Sequence, residues 1–344
     1  MGKIRILSID GGGIRGIIPA TILAYLEERL QYFSGNPNAV LADYFEMIAG
    51  TSTGGLLTCF YLLPPMQGDT EKTGRYFAHE ALALYEQSGK DIFKPKVPMG
   101  ALTRARILFD DLYTTEGLEG LLADRFGAVK LSEARKHCLV TAYDITERRS
   151  VFFTRPEAQN YPHRDYYLRD VARATSAAPT FFEVAKITSM GGKNSYLIDG
   201  GMFANNPAAC ALVEAQKTDF EEKKRPNIED IYILSLGTGK PVKGYDFEKA
   251  RNWGIMSWAI PLLNIFNSGS SEVVDAQMEN FYKVRNLEGN YHRIDPKLTM
   301  PNEEMDDASD HNIALLKDVG MNYINKQTKY LDRIAEELIE KALL

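Results

Sequence analysis

Residues 44–59 read Tyr44-Phe45-Glu46-Met47-Ile48-Ala49-Gly50-Thr51-Ser52-Thr53-Gly54-Gly55-Leu56-Leu57-Thr58-Cys59. Tyr44–Ala49 is short and mostly apolar, as a buried strand would be, and Leu56–Leu63 is an apolar run that reads as a helix. Between them lies Gly50-x-Ser52-x-Gly54, a G-x-S-x-G pattern at a strand-to-helix junction, the context a nucleophile elbow requires. A tight turn there lifts the Ser52 hydroxyl out of the sheet. Gly50 and Gly54 remove side chains that would collide across the bend. A helix starting just after Ser52 points backbone N–H groups and its positive dipole end at the nucleophile. A glycine-rich turn with an incidental serine fits the same letters, so the neighbouring segments must decide.

Upstream, Ile4–Ile9 alternates like a strand and leads into Asp10-Gly11-Gly12-Gly13-Ile14-Arg15-Gly16. Ile17–Leu30 then has helical spacing, with Ile18, Ile22, Leu26 and Leu30 on one face and Pro19 in the first turn. The loop has two readings. Gly11-x-Gly13-x-x-Gly16 satisfies the dinucleotide fingerprint, but that site also wants an acidic residue ending the second strand, and here the strand ends Ala49-Gly50-Thr51-Ser52. The alternative is an oxyanion hole, in which the amides of Gly11, Gly12 and Gly13 converge on one oxygen in front of a helix N-terminus. Arg15 either orients an anionic head group or braces the loop.

Downstream, helices are expected over Thr70–Ser88 and over Thr114–Phe126, the latter capped by Thr115, with an irregular stretch over 91–100. His137–Tyr143 and Ser150–Thr154 read as paired strands. Asp170–Phe182 begins as a helix of small residues that Pro179 ends. Tyr196–Ile198 is a short strand before Asp199-Gly200-Gly201 and Asn205-Asn206-Pro207, and Pro207 opens a helix through Lys217. Ile231–Leu236 is a buried strand, and Tyr323–Leu344 carries a C-terminal helix. Strands alternating with helices indicate a mixed or parallel α/β sheet, and the absence of repeats or linkers points to one domain over residues 1–344. Trp253–Phe266 reads as a core helix interrupted at Pro261, with a lid or lipid-contact element as the alternative.

A serine hydroxyl needs a base. None of the five histidines, His79, His137, His163, His292 and His311, sits in a glycine-rich turn after a strand. Asp199 does: it follows an apolar strand and precedes Gly200 and Gly201, which should place it beside Ser52 at the carboxyl edge of the sheet. Desolvation would raise its pKa towards the working range of a general base.

Composition narrows the function classes. At 344 residues with 44% hydrophobic content the chain can bury a large core, and a net charge of −6 argues against a nucleic-acid polymer as partner. Cys59, Cys138 and Cys210 have neither disulfide nor metal-ligand spacing and read as buried thiols, and Glu303–Asp310 lacks the ligand alternation of a calcium loop, so neither a metal nor a cofactor is expected. No signal peptide or membrane-spanning run is visible, which predicts a cytoplasmic protein.

Asp10-Gly-Gly-Gly-Ile-Arg-Gly16, Gly50-Thr-Ser-Thr-Gly54 and Asp199-Gly-Gly201, in that order, resemble the patatin family of acyl hydrolases. Leu41–Phe45, Ala174–Pro179, Leu234–Gly239 and Met305–Ser309 extend the resemblance through nearly the whole chain. It implies a three-layer α/β/α fold and a Ser52–Asp199 dyad with an oxyanion hole from Gly11 to Gly13. It also implies metal-free cleavage of the acyl esters of phospholipids, lysophospholipids or galactolipids. Some bacterial members that the chain resembles are activated by cyclic nucleotides in anti-phage defence and degrade the cell membrane. The resemblance therefore adds a cyclic nucleotide activator, and action at the membrane surface, to the expectations.

Overall fold

The computed structural model describes residues 2–66, 68, 74–96, 111–221, 223–299 and 303–343. The strands, in chain order, are β1 (Ile4–Ile9), β2 (Met47–Gly50), β3 (His137–Asp144), β4 (Arg149–Thr154), β5 (Ala185–Thr188), β6 (Asn194–Asp199), β7 (Ile231–Leu236), β8 (Lys240–Pro241), β9 (Tyr291–Ile294) and β10 (Lys297–Leu298). The helices are α1 (Ile17–Ser34), α2 (Thr53–Tyr61), α3 (Ala78–Ile92), α4 (Glu116–Phe126), α5 (Arg155–Asn160) and α6 (Leu168–Thr175). After them come α7 (Gly201–Ala204), α8 (Ala208–Lys217), α9 (Phe247–Ala250), α10 (Ile255–Lys283) and α11 (Asp310–Leu343).

An eight-stranded sheet in the order β5-β6-β3-β2-β1-β7-β9, with β4 added to β3, forms the middle layer. Its centre, β3-β2-β1-β7-β9, is parallel, whereas β4, β5 and β6 join antiparallel. Alternation along the strands serves two cores. Ile4, Ile6, Met47, Ala49, Ile231 and Ile233 bury against α8 and the C-terminal half of α10. Leu7, Ile9, Ile48, Val140, Leu234 and Leu236 face the larger layer built from α1, α2, α3, α6 and α11. This is the expected α/β/α architecture.

Several local expectations are corrected. The helix placed over Thr70–Ser88 runs instead over Ala78–Ile92, with Thr70–Thr73 outside the described residues. The Thr115 side chain does not cap α4, because its hydroxyl donates to Glu183 Oε1 at 3.3 Å. The small-residue helix stops at Thr175, before Pro179. Cys210 is half-buried rather than buried. The Trp253–Phe266 stretch is not an interrupted core helix: α10 continues through Pro261 and keeps part of its apolar surface exposed.

The strand direction matters most. Placing Asp199 and Ser52 on one sheet edge assumed that both follow parallel strands, yet β6 runs antiparallel to β3. Strand β3 outruns β2: Gly50 pairs with Val140, and the extra residues beyond it pair with β6, so that Asp199 lies opposite Ala142. Asp199 therefore reaches the elbow because β6 descends onto it and stops there.

Candidate active site

The turn after β2 places Ser52 at φ 55° and ψ −125°. A non-glycine residue in that region costs on the order of 1–3 kcal/mol, so its surroundings must hold it. The Ser52 N–H donates to Thr175 Oγ1 at 2.9 Å. The Thr51 N–H donates to the Ile9 carbonyl at 3.2 Å, which ties the turn to β1. Thr51 Oγ1 donates to the Ala204 carbonyl at 2.6 Å and lies 2.8 Å from Thr141 Oγ1, which ties it to α7 and β3. A side chain at Gly50 would overlap the Gly54 carbonyl, and one at Gly54 would overlap the Ile9 carbonyl, so both positions need glycine for close approach.

Asp199 is only 4% exposed. Burial pushes its carboxyl up to about 6, against the opposing pull of the Ser52 hydroxyl and the Gly201 amide. The Gly201 N–H donates to Asp199 Oδ1 at 2.7 Å, which fixes one oxygen. Gly200 passes so close to Thr141 that any side chain there would overlap it.

The Asp10–Gly16 loop closes the third side. Its glycines play different parts. The Gly11 N–H is already committed to the Asn205 carbonyl at 3.0 Å, so it is not a free oxyanion donor; the tight chain approach that permits this bond has no room for a side chain. Gly12 and Gly13 line the cavity in front of Ser52, and among the described residues neither amide donates to a loop carbonyl. Gly13 sits at φ 59°, with the Met305 carbonyl where a side chain would be. A side chain at Gly16 would overlap Thr53, so this glycine lets the starts of α1 and α2 meet. Arg15 turns away from this cavity into a neighbouring polar one and makes long 3.4 Å bonds to the carbonyls of Gly12 and Glu303, which braces the loop.

Behind the loop, Arg293 donates to both oxygens of Asp10, at 2.9 and 2.7 Å, and to Ser235 Oγ at 2.9 Å. Burial opposes the guanidinium charge, but the Asp10 and Asp295 carboxylates together outweigh it and hold Arg293 above its ordinary pKa. This fork pins the first residue of the loop to β7 and β9. Nothing local in the sequence announces Arg293 or Thr141, and Thr175 was legible only as part of Ala174–Pro179. Asn205 was legible only as part of Asn-Asn-Pro; its side-chain amide bridges the Gly11 carbonyl and Ser271 Oγ, at 3.3 and 3.0 Å.

Ser52 and Asp199 open into a narrow cavity of about 70 Å³ whose walls include Leu56, Ile92, Phe93, Leu118, Phe181 and Phe182. Leu263 and Asn267 of α10 and Met305 complete its lining. None of the five histidines lines it. Among the described residues no cluster of His, Cys, Asp or Glu could hold a metal ion, and no helix is long and apolar enough to cross a membrane.

A sharp serine turn, a buried carboxylate and a greasy slot at one end of an α/β sheet make the layout of an acyl hydrolase. The comparisons agree. The family model described as patatin-like phospholipase matches residues 7–212. Patatin-like protein 2 of Oryza sativa subsp. indica is 34% identical, with 96% of this chain and 85% of that protein covered. Patatin-like protein 2 of Arabidopsis thaliana is 35% identical over 94% of this chain and 83% of its own. Patatin-2-Kuras 3 of Solanum tuberosum is 33% identical over 99% of this chain and 88% of its own. The chain belongs to the patatin-like phospholipase family and is a lipid acyl hydrolase.

Proposed function

We propose that Ser52 is the nucleophile, Asp199 its general base, and that the substrate is the fatty-acyl ester of a phospholipid. The observation that carries this reading is the Ser52 hydroxyl, presented on its strained turn into the same cavity as Asp199, a carboxylate whose burial raises its pKa to about 6. Asp199 accepts the hydroxyl proton as Ser52 Oγ attacks the ester carbonyl. The Gly12 and Gly13 amides face the oxyanion, assisted by the dipole of α2; one such donor is worth about 3 kcal/mol. The tetrahedral intermediate collapses, the lysolipid alcohol leaves with the proton, and an acyl-Ser52 ester remains. Water, deprotonated by Asp199, then releases the fatty acid and restores the hydroxyl.

The aliphatic and aromatic lining suits an acyl chain. A volume of about 70 Å³ is well below the several hundred Å³ of sites that enclose a whole ligand, so an acyl chain must widen the slot as it enters.

Activation by a cyclic nucleotide was the finer expectation. The polar cavity beside the glycine loop, about 430 Å³, is lined by six carboxylates (Asp10, Glu272, Asp275, Asp295, Glu303, Glu304) against four cations (Arg15, Lys240, Lys243, Arg293). That balance does not favour an anionic activator there, so the reading carried forward is the acyl hydrolase itself, acting on membrane lipid. Turnover measured with and without cyclic di- and trinucleotides decides the point.

The test of the main proposal is labelling. A fluorophosphonate probe should modify Ser52 alone, and Ser52→Ala should abolish both labelling and phospholipid hydrolysis with the fold intact. Modification of another serine, or hydrolysis by Ser52→Ala, would overturn it.

A further inference from the structure

Helix α10 has two faces with different fates. Inward, Leu263 and Asn267 wall the cavity, Ser271 is buried against Asn205, and Met278 and Tyr282 are fully buried under the sheet. Outward, Leu262, Ile265, Phe266 and Val273 are 42%, 41%, 54% and 57% exposed, Ile265 also lining the polar cavity beside the glycine loop. Residues 262, 265, 266 and 273 fall on one side of a helix, so these side chains form a stripe rather than a scatter. A solvated helix face carries charge. Here no Asp, Glu, Lys or Arg occurs between Arg251 and Glu272.

The stripe continues past the start of α10. Trp258 stacks edge-on with Trp253 at 4.9 Å, and Trp253 with Tyr245 at 5.3 Å. Phe247, 72% exposed, follows two residues after Tyr245. Aromatic rings that combine an apolar body with a polar edge are the residues that settle at the boundary between lipid and water.

We propose that this outward face of α10, with Phe247 and the Tyr245–Trp253–Trp258 cluster, docks on the surface of a phospholipid bilayer. The proposal rests on the reading of the Ser52 cavity as the catalytic one. Its occupant follows from position. The cavity wall at Leu263 and Asn267 is a single helix thick, and the exposed stripe is the other side of that helix. A second protein seated there would cover the helix that separates the cavity from its substrate. A bilayer seated there brings the substrate to it. Since no described helix is long and apolar enough to span, the face lies on the membrane, with its apolar side chains at headgroup depth. The attraction is apolar rather than charge-driven, so phosphatidylcholine vesicles should suffice and added salt should change little.

The chain's two tryptophans, Trp253 and Trp258, both lie in the docking face, so unlabelled protein reports on it directly. Phosphatidylcholine vesicles should shift the emission to the blue, and brominated lipid should quench it. The double variant Leu262→Glu/Phe266→Glu, whose side chains line neither cavity, should lower vesicle partition and hydrolysis of vesicle lipid at least tenfold. Its hydrolysis of a soluble short-chain ester should be unchanged. Partition measured on Ser52→Ala separates docking from chemistry: binding by the inactive enzyme keeps this proposal independent of the nucleophile assignment. Three results would overturn the proposal: emission indifferent to vesicles, wild-type partition by the double variant, or a wild-type dimer that the double variant dissociates. If the double variant fails to fold, the wild-type emission decides alone.

Discussion

Helix α2 and the first half of α10 look alike as sequence. Both lack charge, both are rich in Leu and Phe or Ile, and each begins at a glycine-containing turn. Their surroundings are opposite. Every residue of α2, Thr53–Tyr61, is buried, because the sheet lies under one side and α6 and α3 cover the others. In α10 only one side finds the sheet, and Leu262, Ile265, Phe266 and Val273 remain in water. Apolar content therefore reports that a surface must be covered. It does not report whether protein covers it.

The largest effect expected is a charge placed on each helix in turn. Leu57, 0% exposed in α2, becomes an unpaired buried carboxylate in Leu57→Glu, which should cost more than about 4 kcal/mol and prevent recovery of folded protein. Phe266→Glu should change stability by no more than about 0.5 kcal/mol, because the position is already exposed. Equal losses from the two, read by denaturant titration, would break the comparison and return α10 to the core.

Asp199→Asn sharpens it from the catalytic side of α2. Removing a general base typically costs about 10²–10⁴ in rate, and no single histidine substitution should match that loss. The same change should raise stability at neutral pH. With the folded pKa at about 6 against an ordinary value of 3.8, both states are protonated below the lower value and nothing is lost. Between the two values the unfolded chain releases its proton first, and above the upper one the buried carboxylate weighs against the fold by up to about 3 kcal/mol. Asn removes that penalty, so its melting-point advantage at pH 7 should shrink as the pH falls towards 4. A variant that is both less active and less stable at pH 7 would contradict this account of the site.

Thr175→Val tests the support of the elbow without touching the proposed dyad. It leaves the Ser52 amide without its acceptor, a loss of about 1–3 kcal/mol, and should lower kcat for soluble and vesicle substrates alike. An effect confined to vesicles would mean that α6 belongs to the docking face. The smallest expected change is in pH dependence: kcat/KM on a soluble ester should rise through an apparent pKa of about 6 and then level, since Asp199, as the proposed base, must be ionised to accept the proton. The α10 variants should leave that profile where it is.

The letters alone carried the strand–glycine–helix units. Ile4–Ile9 and Ile231–Leu236 lie where alternation and apolar length put them, because central parallel strands are buried on both faces and leave little choice of register. The three motifs were legible because each contains glycines where a side chain would overlap a named neighbour. The supports were not. Thr141, Thr175 and Arg293 are ordinary residues until the fold brings them to Thr51, Ser52 and Asp10, across sequence separations for which no local pattern exists.

The sequence by itself determined the α/β class, the serine elbow and the pairing of Ser52 with Asp199 as candidates, because turn geometry and hydrophobic period are local constraints written within a few residues. The tertiary structure decided three things. Asp199 arrives on an antiparallel strand that meets the elbow beyond the end of β2. Gly11 spends its amide on Asn205 and leaves Gly12 and Gly13 to face the cavity. The charge-free stretch at the start of α10 stays partly in water. Each depends on which distant segment occupies the next few ångströms, and only the packed sheet fixes that.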